Sequence, residues 1–82
     1  METKKIGKSY NEQKKACFEL LESLIKKDTQ ESNGSDKLRL IYELTKLFAV
    51  GEFTINKRIN LLINIGLVKE DEGVLIWKDT TE

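Results

Sequence analysis

A mainly α domain that closes on a small β-hairpin is what this sequence predicts, and three observations predict it. Apolar residues recur at three- and four-residue spacing in three separate stretches, the mark of amphipathic helices. The third stretch stops at Gly66, and two short apolar runs follow it, Leu67-Val68 and Val74-Leu75-Ile76-Trp77. Asp, Glu and Gly between two such runs are a hairpin signal. Finally, 82 residues make one domain, and a chain this small buries a limited share of its surface.

The first helix is expected over about 9–27. Tyr10, Cys17, Phe18, Leu20, Leu21, Leu24 and Ile25 mark a broad apolar face, with Lys14, Lys15, Glu19, Glu22 and Lys26 on the other side. Ser9 and Glu12 have the spacing of a capping box, and Lys26-Lys27 places cations at the helix C-terminus. Residues 1–8 are polar and expected to fray. The stretch 28–35, DTQESNGS, is entirely polar and contains Asn33-Gly34, so it reads as a connector.

A second helix is expected over 36–49, capped by Ser35 or Asp36. Leu38, Ile41, Tyr42, Leu44, Thr45 and Phe48 are its expected buried side, flanked by Leu40 and Leu47. Lys37, Arg39, Glu43 and Lys46 are expected to face out. After a tight break at Ala49-Val50-Gly51-Glu52, a third helix is expected over 54–65, beginning at Thr54. Its buried stripe is Ile55, Ile59, Leu62 and Ile63, with Asn56, Lys57, Asn60 and Asn64 mostly opposite and Arg58 at the boundary. Gly66 suits a left-handed cap closed by Leu67. The hairpin is expected over 67–78 around Glu70-Asp71-Glu72-Gly73. A lone hairpin is marginal in water, so it must lie on the helices, with Trp77 as the contact. Two helices joined by a tight turn, a preceding helix and a following hairpin make a three-helix winged helix-turn-helix domain.

Residues 44–68, LTKLFAVGEFTINKRINLLINIGLV, resemble the core of the winged-helix transcriptional regulators of bacteria and archaea, the broad superfamily that includes the MarR-like and ArsR-like groups. In that pattern a turn precedes a Thr-Val-x-x-x-Leu-like recognition helix, which closes on a Gly-Leu-Ile/Val exit to the wing. Here Ala49-Val50-Gly51 takes the turn, Thr54-Ile55 the helix start, Ile59 and Leu62 the buried positions and Gly66-Leu67-Val68 the exit. The sequence departs from the pattern at two places: Ala49 stands where the turn often has glycine, and Gly51 where a capping serine is common. With the wing, the resemblance spans about 43–78. It implies a small DNA-binding regulator that lays its third helix in the major groove of double-stranded DNA. Winged helices also serve as protein-docking modules, and that is the alternative.

Under the DNA reading, Asn56, Lys57, Arg58 and Asn60 would face base edges and Thr54 a phosphate, with Lys46 and Lys69 adding positive charge. Arginine can pair with guanine, and asparagine with adenine, through two hydrogen bonds each. Three asparagines in one helix cost helical propensity without helping the core. A homodimer is expected, since such regulators read two half-sites with symmetric pairs. Its seam would be the first helix, through Tyr10, Cys17, Phe18, Leu21, Leu24 and Ile25.

Charge restricts these expectations. Fourteen basic residues balance fourteen acidic ones. Residues 1–69 hold thirteen Lys or Arg against nine Asp or Glu, a surplus of four, whereas 70–82 hold Lys78 against five carboxylates. The surplus is a modest footprint for phosphate contacts. Glu70, Asp71 and Glu72 should keep the wing tip off the duplex, or else turn it towards a basic protein partner. No enzyme, cofactor or metal is expected. The sequence has no histidine, no nucleophile paired with a base, no phosphate-cradling glycine loop and no zinc-ligand cluster. With no secretory signal, no membrane-length apolar run and one cysteine, a cytoplasmic setting is expected.

Overall fold

Helix α1 runs from Tyr10 to Ser32 in the computed structural model, which describes residues 10–78. The expected fraying at 1–8, the Ser9 cap and the acidic residues Asp79 and Glu82 lie outside the described residues. The helix extends five residues past Lys27, through the stretch expected to be a connector. Its polar end is held by the sheet. The Thr29 hydroxyl donates to the Ile25 carbonyl at 2.7 Å and accepts the Trp77 backbone N–H at 2.8 Å. The Ser35 hydroxyl donates to Asp28 Oδ2 at 2.6 Å. Polar side chains that look like loop in isolation are therefore satisfied as helix by partners up to 48 residues away. Only Asn33-Gly34 remains as the turn, with Asn33 in the left-handed region at φ 68°.

Strand β1 is the pair Ser35–Asp36, and α2 follows at Lys37–Phe48. Asp36 caps α2 by accepting the Arg39 N–H at 3.3 Å. Helix α3 is Glu52–Asn64, two residues ahead of the expected start at Thr54. Gly51 occupies its N-cap position with no side-chain bond. At the other end, the Gly66 N–H bonds to the Ile63 carbonyl at 3.1 Å and the Leu67 N–H to the Leu62 carbonyl at 3.0 Å. With Gly66 at φ 89°, this is the paired-bond cap that glycine permits.

Strands β2 (Val68–Asp71) and β3 (Val74–Trp77) form the hairpin, with Asp71 opposite Val74. The expected four-residue loop contracts to two residues, Glu72 and Gly73, at φ 52° and 80°. Two successive positive φ values match the twist of a two-residue hairpin turn. The expected two-stranded wing also gains β1, which pairs antiparallel with β3 to give the order β1-β3-β2. Three helices with this small antiparallel sheet form the winged helix-turn-helix arrangement that the sequence predicts.

Every element except β1 contributes to one apolar core. Cys17, Leu21 and Ile25 come from α1, Leu40, Ile41 and Leu44 from α2, and Ile55, Ile59 and Leu62 from α3. Val50 fills the centre from the turn, and Val68 and Leu75 close it from the sheet. Trp77 packs against this cluster and carries the Lys26 ammonium 4.7 Å from its ring centre.

The outward side of α2 differs from expectation. Leu38 and Tyr42 are 75% and 62% exposed, whereas Leu40, expected at the flank, is buried. Seven apolar residues in a helix of 12 offer two overlapping stripes, and packing against α1 and α3 selects the one through 40, 41 and 44.

Both departures of the turn from the family pattern fall on helix caps. Ala49 ends α2 at φ 54°, where its Cβ is strained, and it is exposed. Replacing it with glycine removes that strain and loses no packing. Ala49→Gly should raise stability by about 0.5–1 kcal/mol net of glycine's greater chain entropy. A thermal melt should rise by about 3–6 °C. A lowered melting temperature would show that the left-handed cap is not strained.

Candidate nucleic-acid interface

The outward surface of α3 is built from two rows of residues four apart. One is Phe53, Lys57 and Leu61; the other is Asn56, Asn60 and Asn64. Residues four apart sit one turn above each other, so each row is continuous. Ile55, Ile59 and Leu62 bury the opposite side, which fixes the rotation of the helix and turns both rows outward. Phe53 is 74% exposed and Leu61 44% exposed. Lys57, Asn60 and Asn64 are also exposed. From Phe53 to Lys69 the chain contains no Asp or Glu.

The structure separates the residues singled out from the sequence. Lys57 and Asn60 lie on this face, and the Lys57 ammonium sits 5.5 Å from the centre of the Phe53 ring. Asn56 is at the edge, half-buried, its amide oxygen enclosed without a hydrogen-bond partner. Thr54 is half-buried on the side towards α1, and α3 does not begin with it. Lys46 is exposed in the last turn of α2, 5.0 Å from the centre of the Tyr42 ring, and Lys69 is exposed on β2.

Arg58 turns away from the face. Its Nη2 donates to Glu22 Oε2 at 2.8 Å, and its guanidinium lies 5.0 Å from the centre of the Phe18 ring. Both partners belong to α1, so Arg58 fastens α3 to α1. Releasing it would break a charge-assisted hydrogen bond and a cation–π contact together. Two further cations are similarly engaged: Arg39 with Glu43 at 3.2 Å, and Lys37 with Glu70 at 3.2 Å. Lys46, Lys57 and Lys69 make no ion pair among the described residues.

Between α1 and α3 runs an open groove of about 570 Å³, whose lining includes Lys14, Phe18, Phe53, Lys57, Arg58 and Leu61. Its wall adds aromatic and aliphatic surface to one edge of the α3 face. Phe53, Leu61 and Lys14 are the members that sequence reasoning missed. With the turn placed at 49–52 and the helix start at Thr54, Phe53 was assigned to neither. The signal was its four-residue spacing from Lys57, repeated from Lys57 to Leu61.

The wing is short and tied down. The Lys37 backbone N–H donates to the Gly73 carbonyl at 2.9 Å, so the hairpin tip sits at the beginning of α2. Glu70 is held by the Lys37 ammonium, whereas Asp71 and Glu72 remain exposed.

The expected dimer seam is largely consumed by the domain itself. Cys17, Leu21 and Ile25 are completely buried in the core and cannot meet a second chain without unfolding α1 from it. Leu24 packs partly against the same core, Phe18 lies beneath Arg58, and Tyr10 stays exposed. Burial pushes the Cys17 thiol pKa up, away from the reactive thiolate. Among the described residues, no group of three or more His, Cys, Asp or Glu is placed to hold a metal ion. Nor is any described helix long and apolar enough to cross a membrane.

Comparison with protein-family models, with curated proteins and with solved structures finds no match to this chain.

Proposed function

We propose that this domain binds double-stranded DNA through the outward face of α3, and that it acts in the cytoplasm as a winged-helix regulator of transcription. The observation that carries this reading is an outward helix face that combines Lys57 with the exposed amides of Asn60 and Asn64, with its one carboxylate, Glu52, at the N-terminal end of the helix. The fold presents that face away from the core, as a helix entering the major groove requires. Lysine supplies attraction to phosphate, and the amides supply paired donors and acceptors for base edges. The acidic wing tip is held back at the beginning of α2 by Lys37, which limits its repulsion of a duplex lying on α3. No chemistry is required of such a protein; it acts by occupying or vacating its site.

The test is titration onto random-sequence duplex at 50 and 200 mM salt. With three or four lysine–phosphate contacts, counterion release predicts an affinity about 40- to 150-fold weaker at the higher salt. Binding that ignores salt, or no binding at 50 mM, would overturn the reading.

A second reading, a protein-docking module, draws on the exposure of Phe53 and Leu61 and on the pairing of Arg39, Arg58 and Lys37 with carboxylates. It would use the apolar row of α3, or Asp71 and Glu72 against a basic partner, and it predicts no duplex binding at either salt concentration.

A further inference from the structure

We infer that the α3 face selects A·T base pairs in the major groove, with Asn60 reading adenine and Phe53 covering a thymine methyl group. This inference rests on the duplex-binding reading and goes further, to the class of sequence bound.

Base selectivity depends on which groups reach the groove. The commonest specific contact is a two-pronged one from arginine to guanine. Helix α3 has a single arginine, Arg58, and it is committed to Glu22 at 2.8 Å and stacked on Phe18, on the side facing α1. In α2, Arg39 is engaged by Glu43. No free guanidinium is therefore presented with the α3 face.

What that face does present suits the other base pair. A side-chain amide can donate to adenine N7 and accept from adenine N6, and Asn60 and Asn64 are exposed amides one turn apart. Large apolar groups gain by covering the thymine methyl, and Phe53 and Leu61 are exposed in the neighbouring row. Phe53 takes no part in the core and is 74% exposed. A methyl-lined groove wall would desolvate it. Lys57 stands in the same row as Phe53, one turn further on, with its ammonium close to the Phe53 ring, placed as a point cation for a phosphate.

Spacing is compatible with one site. Phe53 lies in the first turn of α3, and N-terminal residues of a recognition helix reach base edges most readily. Seven residues separate Phe53 from Asn60, about 10 Å along the helix axis. That spans roughly three base pairs at about 3.4 Å each. The expected element is thus a short A·T run, a thymine and an adenine about three steps apart.

Duplexes of equal length, all A·T or all G·C, decide the matter when titrated against the full chain at low salt. Two atomic substitutions sharpen the test: uracil for thymine, which removes the methyl, and 7-deazaadenine for adenine, which removes the N7 acceptor. The A·T duplex should bind at least about tenfold more tightly, the scale of one good base contact. Uracil should weaken binding several-fold, and that loss should vanish in Phe53→Ala. Deazaadenine should likewise weaken binding to the natural protein but not to Asn60→Ala. Both variants should lose less affinity for the G·C duplex than for the A·T duplex, and unchanged helical circular dichroism shows that they remain folded. Equal affinity for the two duplexes, or preference for G·C, overturns the A·T assignment while leaving duplex binding intact. Failure to bind either duplex overturns both.

Discussion

Gly34→Ala should cost this domain between about a quarter and three quarters of its stability. An added Cβ would run into the Cγ1 atom of Val74, and it would stand 3.0 Å from the Leu75 carbonyl oxygen and 3.2 Å from Ile76 Cγ1. All three neighbours belong to β3, which is held on both sides by β1 and β2 and cannot retreat. The backbone itself sits at φ 140°, a conformation that suits glycine. Overpacking and backbone strain each cost on the order of 1–3 kcal/mol, so about 3 kcal/mol in total is a fair expectation. Domains of this size have roughly 4–12 kcal/mol to lose. The thermal midpoint, followed by helical circular dichroism, should fall by about 12–24 °C. Gly66→Ala supplies the control: φ is also positive, at 89°, but nothing lies within 4 Å of the added atom. It should cost only the strain, about 1–2 kcal/mol. Equal losses at the two positions would show that the contact between the Asn33-Gly34 turn and β3 is looser than the structure has it.

Lys57→Glu should lower affinity for random-sequence duplex by about 10- to 100-fold at low salt. The change puts a carboxylate at the middle of a face whose one existing carboxylate, Glu52, stands at its N-terminal end, replacing one phosphate attraction by a repulsion of the size assigned to charge-assisted contacts. The slope of log affinity against log salt should fall by about one. Because Lys57 is exposed and makes no ion pair among the described residues, stability should stay within about 0.5 kcal/mol. Lys27→Glu alters charge equally on an exposed site of α1 more than one turn beyond Glu22, and it should change affinity less than about threefold. Matching losses in the two variants would mean that net charge, rather than the α3 face, attracts DNA.

These expectations combine information the sequence carries with information it does not. The helix pair around the turn was legible because each helix has a local period, and because Asp36 and Gly66 act within one turn of their own backbone. Ile55, Ile59 and Leu62 were placed correctly by the same periodicity. Leu38 and Tyr42 were not, since a helix with surplus apolar residues has no unique buried stripe until its neighbours are known. The end of α1 was misread for a related reason: Asp28 and Thr29 are polar, and only Ser35 and Trp77 make them part of the interior. In the candidate site, Lys57 and Asn60 were visible as an outward face. The withdrawal of Arg58 to Glu22, 36 residues away, was not.

By itself, then, the sequence determined the three helices, the hairpin and a turn with unusual residues at both caps, since period, capping and turn chemistry act over a few residues. Tertiary structure alone decided that β1 joins the sheet, that the α1 face fills the core and that Arg58 is fastened to α1. Each of these depends on a partner distant in the chain, and partner choice is set by packing and charge pairing in three dimensions. The α3 face took its final composition from both: a local four-residue repeat wrote its two rows, and a distant glutamate removed its arginine.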